Sequence, residues 1–254
     1  MNGSVAAYRG AAEQAIALPA ALILWELAVR LLDVSPDKLP APSTILLTIW
    51  SGRSVLATAV GTTLYEAVLG LVCGTAIGVL SGIAFSRFRL LERMFLPYFV
   101  ASQAVPIIAF GAIIIMWFGN DLASKALIAT YMSFFPVAVN TLAGIRSVGE
   151  GEIGLLRSFG AGGFTILRKL QLPAALPSIF TAIRLGAGLA LVGAIVGEWF
   201  GATQGLGAVL LTAMYDYRIP QLWAGILLTG LTGVAMFAVV AFLQRKIAWW
   251  QVEA

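Results

Sequence analysis

The chain contains no histidine, a single cysteine and only 11% charged residues. Without histidine, the commonest metal ligand and the side chain that titrates near neutral pH are missing, which weighs against an intramembrane metalloprotease or a histidine-based pump. One cysteine permits no intrachain disulfide, and Cys73 lies in an apolar run, where it reads as a small packing residue. No Gly-rich loop followed by Lys and Ser or Thr occurs, so the usual P-loop machinery for ATP hydrolysis is absent. Soluble proteins carry about 25% charged residues, so a chain this poor in charge has too little polar surface to keep its helices in water.

What the chain has instead is apolar length. Of its 254 residues, 60% are hydrophobic, and several runs reach the roughly 20 residues that cross a hydrocarbon core as a helix. The alternating ten-residue segments of a membrane barrel are missing. The expected fold is an all-α membrane protein, a single domain over 1–254 with six spans at 14–32, 58–85, 95–117, 123–143, 178–200 and 221–243. After Pro36, Pro40 and Pro42, Ser43 is placed to cap a short interfacial helix from Thr44 to Trp50. Eleven of the sixteen Lys and Arg residues, Arg9 among them, fall on the N-terminal side of the membrane and five on the other. The basic excess stays inside, so the N-terminus is expected in the cytoplasm; the same asymmetry explains the net charge of +4 without a nucleic-acid surface.

The connection between spans four and five, 144–177, is by far the longer of the inner loops and has helical patterning rather than low complexity. Ser147 followed by Glu150 is a capping-box pattern, and Ile153, Leu155, Leu156 and Phe159 supply an apolar face. Gly160 can end that helix, Gly162 and Gly163 permit a turn, and a second amphipathic helix runs from Phe164 to a stop at Pro173. Patterning alone fits either a helix-turn-helix knob in the cytoplasm, rimmed by Arg157, Arg168 and Lys169, or a hairpin folded back on the membrane surface.

The run Gly154, Leu155, Leu156, Arg157, Ser158, Phe159, Gly160, then nine residues, then Leu170, Gln171, Leu172, Pro173 resembles the cytoplasmic loop signature of binding-protein-dependent ABC importer permeases. That signature reads Glu-Ala-Ala, three residues, Gly, nine residues, Ile, one residue, Leu-Pro. Gly160, Leu172 and Pro173 match and Leu170 stands in for Ile, whereas Gly154, Leu155 and Leu156 replace the acidic and two small residues; Glu150 or Glu152 could substitute for the acid. Phrases along nearly the whole chain, such as Trp117-Phe118-Gly119, Asn140-Thr141 and Gly205-Leu206-Gly207, resemble the nitrate, sulfonate and taurine branch, which also includes thiamine-precursor and riboflavin-type permeases.

The resemblance implies a type I importer permease in the bacterial inner membrane, with no catalysis and no cofactor or metal of its own. ATP and magnesium would be bound by separate cytoplasmic ATPase subunits docked on the knob, a periplasmic or lipid-anchored binding protein would deliver the cargo, and two copies would enclose the path. The cargo implied is a small polar organic or anionic nutrient, a pyrimidine or riboflavin-like heterocycle or else a sulfonate, taurine or nitrate. An ion-coupled secondary transporter is the alternative, though no convincing repeat relates the two halves.

Within the spans, Gly70, Gly74, Gly78 and Gly82 recur every four residues and predict a close helix contact. Pro106 and Pro136 predict kinks in spans three and four. Gln103, Pro106, Tyr131 and Asn140 are candidates to line the path, with Met132 and Phe134 as an apolar constriction; hydrogen bonding between helices fits Gln103 and Asn140 equally. Charge inside a membrane is costly, so Glu26 and Glu66 are expected to snorkel or pair. Glu198 is a path candidate because Glu198-Trp199-Phe200-Gly201-Ala202 resembles a family segment near the outer gate. Glu66 stands where sulfonate-type relatives resemble one another in carrying a basic residue, which leans the cargo toward a neutral or cationic heterocycle.

Overall fold

A computed structural model describes the backbone of residues 2–250 and the side chains of 17–250, so Arg9 lies outside the described side chains. The described residues form helices and turns, with no strand among them. In chain order these are α1 (Asn2–Leu31), α2 (Pro42–Ser51), α3 (Arg53–Arg87), α4 (Arg89–Ser102), α5 (Ile107–Phe118), α6 (Leu122–Arg146), α7 (Glu150–Ser158), α8 (Gly163–Ile166) with a π-helical turn at Leu167–Gln171, α9 (Leu172–Glu198), α10 (Leu206–Tyr215) and α11 (Ile219–Ile247). Helices α3, α6, α8 through α9, and α11 are each long and apolar enough to cross a membrane.

The third predicted span is not a kinked rod. Helices α4 and α5 meet at a 101° bend, so Pro106 caps a new helix. Having no N–H and disfavouring the α conformation at residue 105, it ends one helix and starts another. Pro136, in contrast, sits inside an uninterrupted α6, where Asn140 Nδ2 donates to the Pro136 carbonyl at 2.8 Å.

The chain divides into two compact units, Met1–Ala57 with Val209–Leu228, and Thr58–Ala208 with Thr229–Ala254. In the first, the indoles of Trp25 and Trp223 lie 5.2 Å apart. Ser43 does not cap α2: Ala41 is the N-cap and Pro42 opens the helix, its fixed φ already suited to that place. Ser43 instead donates from its hydroxyl (2.7 Å) and its backbone N–H (3.0 Å) to Glu26, which also pairs with Arg30 at 2.6 Å.

The second unit is built around α6. The glycine stripe of α3 meets it in constant register, Gly70 on Ala129, Gly74 on Ser133, Gly78 on Val137 and Gly82 on Thr141, so the two helices run parallel. A Cβ added at Gly78 would lie 2.7 Å from the Val137 Cβ. α6 also takes α9 antiparallel, with Gly144 against Ala175, Gly186 against Ser133 and Gly193 against Ala129. Apolar burial gives no preference between a neighbouring helix and lipid, so close backbone approach over small residues is what holds such helices together. Cys73, one position before Gly74, faces outward and is exposed rather than packed.

Candidate functional site

The segment after α6 folds as a hairpin of short helices. Gly149, not Ser147, is the N-cap of α7, and the Glu152 carboxylate accepts from the Gly149 N–H at 3.1 Å. Ser147 belongs to the end of α6, where its hydroxyl donates to the Gly144 carbonyl at 2.8 Å. At the far end, Gly160 N–H donates to the Arg157 carbonyl (2.9 Å) and Ala161 N–H to that of Leu156 (3.0 Å), with Gly160 at φ +80°. This is a Schellman stop, and the left-handed position at its centre favours glycine. Gly162, at φ −72°, contributes no such requirement.

The second helix of the hairpin does not end at Pro173. The π turn at Leu167–Gln171 leads without a break into α9, so Gly163–Glu198 is one helical rod of 36 residues. A π turn widens the backbone by one residue, a local adjustment that lets a helix carry proline without orphaned carbonyls.

Within the run that resembles the signature, Leu155 and Phe159 are exposed at 60% and 80%, and Phe164 of α8 at 74%. Gly154, Arg157, Ser158 and Gly160 are also exposed, while Leu156, Leu170, Leu172 and Pro173 are half-buried. Beneath them Leu167, Ile145, Ala175 and Ile179 form a buried cluster on which Leu172 packs. The Arg87 guanidinium donates to the Gly163 carbonyl, holding the end of α3 to the hairpin's second helix. Arg146 engages Glu92 through two bonds of 2.7 and 2.6 Å, tying α6 to α4. The hairpin thus has an anchored base and an apolar, exposed crown.

The path candidates fall into two places. At the α4–α5 bend, Tyr131 donates from its hydroxyl to the Ser102 carbonyl, and its ring lies 4.1 Å from that of Phe110. Phe134 stands edge-on to Phe99 at 5.1 Å. Gln103 and Pro106 are exposed at the bend, and Met132, Phe134 and Asn140 are half-buried on α6. Sequence periodicity could not assemble this aromatic cluster, since it depends on the 101° turn.

Glu198 is elsewhere and fully buried. Its Oε1 accepts from the Thr63 hydroxyl at 2.6 Å and its Oε2 from the Gly207 N–H at 2.5 Å, while the Leu206 N–H donates to Thr63 Oγ1 at 2.8 Å. Glu66, also buried, meets Lys125 Nζ at 3.5 Å. Enclosed and paired, Glu66 presents no free charge to a solute, which removes the basis for leaning toward a cationic cargo. Thr63 and Lys125 carried no signal in sequence beyond being polar in apolar runs.

Residues 74–249 match the model of the family described as binding-protein-dependent transport system inner membrane component. The formylaminopyrimidine transport permease protein ThiX of Halalkalibacterium halodurans is 32% identical over 231 residues, which is 91% of this chain and 92% of the relative. The riboflavin transport system permease protein RibX of Chloroflexus aurantiacus is 31% identical, over 93% and 91% of the two chains. The putative aliphatic sulfonates transport permease protein SsuC of Bacillus subtilis is 34% identical, over 92% and 86%. The inward-facing MetNI methionine ABC transporter superposes with a TM-score of 0.64 over 79% of this chain and 98% of that one; at 19% identity the likeness concerns the fold alone. The chain belongs to the binding-protein-dependent transport system inner membrane components, as a non-catalytic permease subunit of an ABC importer.

Proposed function

We propose that the α7–α8 hairpin is the surface on which a separate cytoplasmic ATPase docks, and that this subunit forms the translocation path as one of a pair of identical copies. The observation that carries the reading is the crown of Leu155, Phe159 and Phe164, exposed on a hairpin whose base is buried and hydrogen-bonded. Large apolar side chains held rigidly in water mark an interaction surface. Gly154, Arg157, Ser158 and Gly160 flank the crown, and Leu170, Leu172 and Pro173 support it from below. One chain offers one hairpin, so two ATPase subunits call for two copies. ATP and magnesium belong to the partner. The N-terminus lies in the cytoplasm with the hairpin.

A binding protein on the outer side delivers the cargo, which is a small polar organic or anionic nutrient of the kind named for the relatives: a formylated aminopyrimidine, a flavin or a sulfonate. The aromatic cluster of Tyr131 and Phe134 with Gln103, Pro106, Met132 and Asn140 is the proposed constriction. Glu198, enclosed by Thr63 and Gly207, serves the path from behind its wall.

The test is purification of the tagged permease from native membranes in mild detergent, followed by identification of co-purifying chains and assay of ATP hydrolysis. An ATPase that accompanies the wild type and is lost in Phe159→Ala with Leu155→Ala supports the assignment. An ATPase retained by that double variant overturns it.

A further inference from the structure

We propose that Glu198 is a positioning residue that couples the outer turn of the permease to the ATPase-docking hairpin. The inference rests on the proposed role of that hairpin.

The rod Gly163–Glu198 begins in the hairpin and ends at Glu198 itself. At about 1.5 Å per residue its 36 residues span about 54 Å, enough to cross a bilayer with its headgroups. The π turn in the rod is held by Leu167 in the buried cluster with Ile145 and Ala175. Displacement at the hairpin is therefore carried to the other end.

What the rod meets there is a carboxylate with both oxygens committed. Oε1 is bound by Thr63 of α3, and Oε2 by the backbone of Gly207. Thr63 also receives the Leu206 N–H, so one hydroxyl and one carboxylate together clamp the start of α10 to α3 and α9. The chain between, Trp199 to Gly205, turns through two glycines with positive φ, Gly201 at +96° and Gly205 at +113°. Gly207 leaves room for nothing larger, since an added Cβ would lie 2.7 Å from Glu198 Oε2. Buried hydrogen bonds are costly to leave unmade. Movement of the rod must break these bonds or take the turn and α3 with it. The Thr63–Glu198–Gly207 clamp decides between the two.

The experiment uses the assembled importer in liposomes, with its own ATPase and binding protein, comparing ATP hydrolysis with and without loaded binding protein. Thr63→Val keeps the shape and removes the hydroxyl; Glu198→Gln keeps the size but turns an amide group toward existing donors; Thr63→Ser restores the hydroxyl. The expected result is an approximately tenfold fall in the ratio of stimulated to unstimulated hydrolysis in Thr63→Val and Glu198→Gln, with the ATPase still bound and the ratio recovered in Thr63→Ser. If Glu198→Gln fails to assemble, the Thr63 pair decides alone. A wild-type ratio in Thr63→Val, or stimulated and unstimulated rates that fall together, overturns the proposal. Retention of the ATPase by the Phe159→Ala, Leu155→Ala double variant would instead refute the docking role of the hairpin.

Discussion

Gly193 of α9 stands so close to Ala129 of α6 that a Cβ added to the glycine would lie 2.8 Å from the Ala129 Cα. Ala129 also receives Gly70 of α3. Neither neighbour can retreat, because each is a backbone. Gly193→Val is therefore expected to cost about 1–3 kcal/mol, as overpacking a tight core does. Gly230, with open space around its Cβ position, should accept alanine with little change. Thermal unfolding of the two variants in detergent checks the contrast.

Gly160→Val should leave membrane insertion intact and weaken ATPase retention. A β-branched residue at φ +80° is strained by about 1–2 kcal/mol, enough to open the Schellman stop in an exposed hairpin. Gly160→Asn, which tolerates the left-handed region, should retain most of the binding. Equal ATPase binding in valine and wild-type proteins would show that the stop is dispensable.

Phe159→Ala should change stability by less than about 0.5 kcal/mol, because the ring is mostly exposed, while weakening ATPase binding about tenfold or more. Unfolding and co-purification, measured on one preparation, separate the two effects.

Lys125→Ala should destabilise the permease by about 1–3 kcal/mol, since it leaves buried Glu66 without its partner. Lys125→Met combined with Glu66→Gln should recover most of that loss. A double variant no more stable than Lys125→Ala would mean that the lysine acts through something other than Glu66.

Asp121 caps α6, accepting from the Ser124 N–H at 3.0 Å and from its hydroxyl at 3.1 Å, and these bonds hold its pKa below the usual aspartate value. With the folded value depressed, the stabilisation is present above the ordinary carboxyl range and is lost as pH falls through the folded value. Asp121→Asn should remove this pH dependence, which thermal unfolding across acidic pH would reveal.

The glycine stripe at 70, 74, 78 and 82 was legible because helical spacing puts small residues on one face whatever the partner. The hairpin and its Gly160 stop were legible because capping and backbone handedness are local. Local reasoning went astray at three places. Ser147 read as the helix start, yet the cap is Gly149, whose N–H donates to the Glu152 carboxylate. Pro173 read as a stop, yet the π turn carried the helix through it. Pro106 read as a kink and is instead a break.

Composition and spacing by themselves determined that this protein is a bundle of membrane helices with a helical hairpin between two of them, because hydropathy, capping and glycine handedness act over a few residues. Only the tertiary structure decided that Glu66 answers to Lys125, that Glu198 answers to Thr63, and that the hairpin begins a single rod reaching Glu198. Partners as far apart as Thr63 and Glu198, 135 residues along the chain, meet only once the helices between them have packed, and no local rule encodes which of them will face each other.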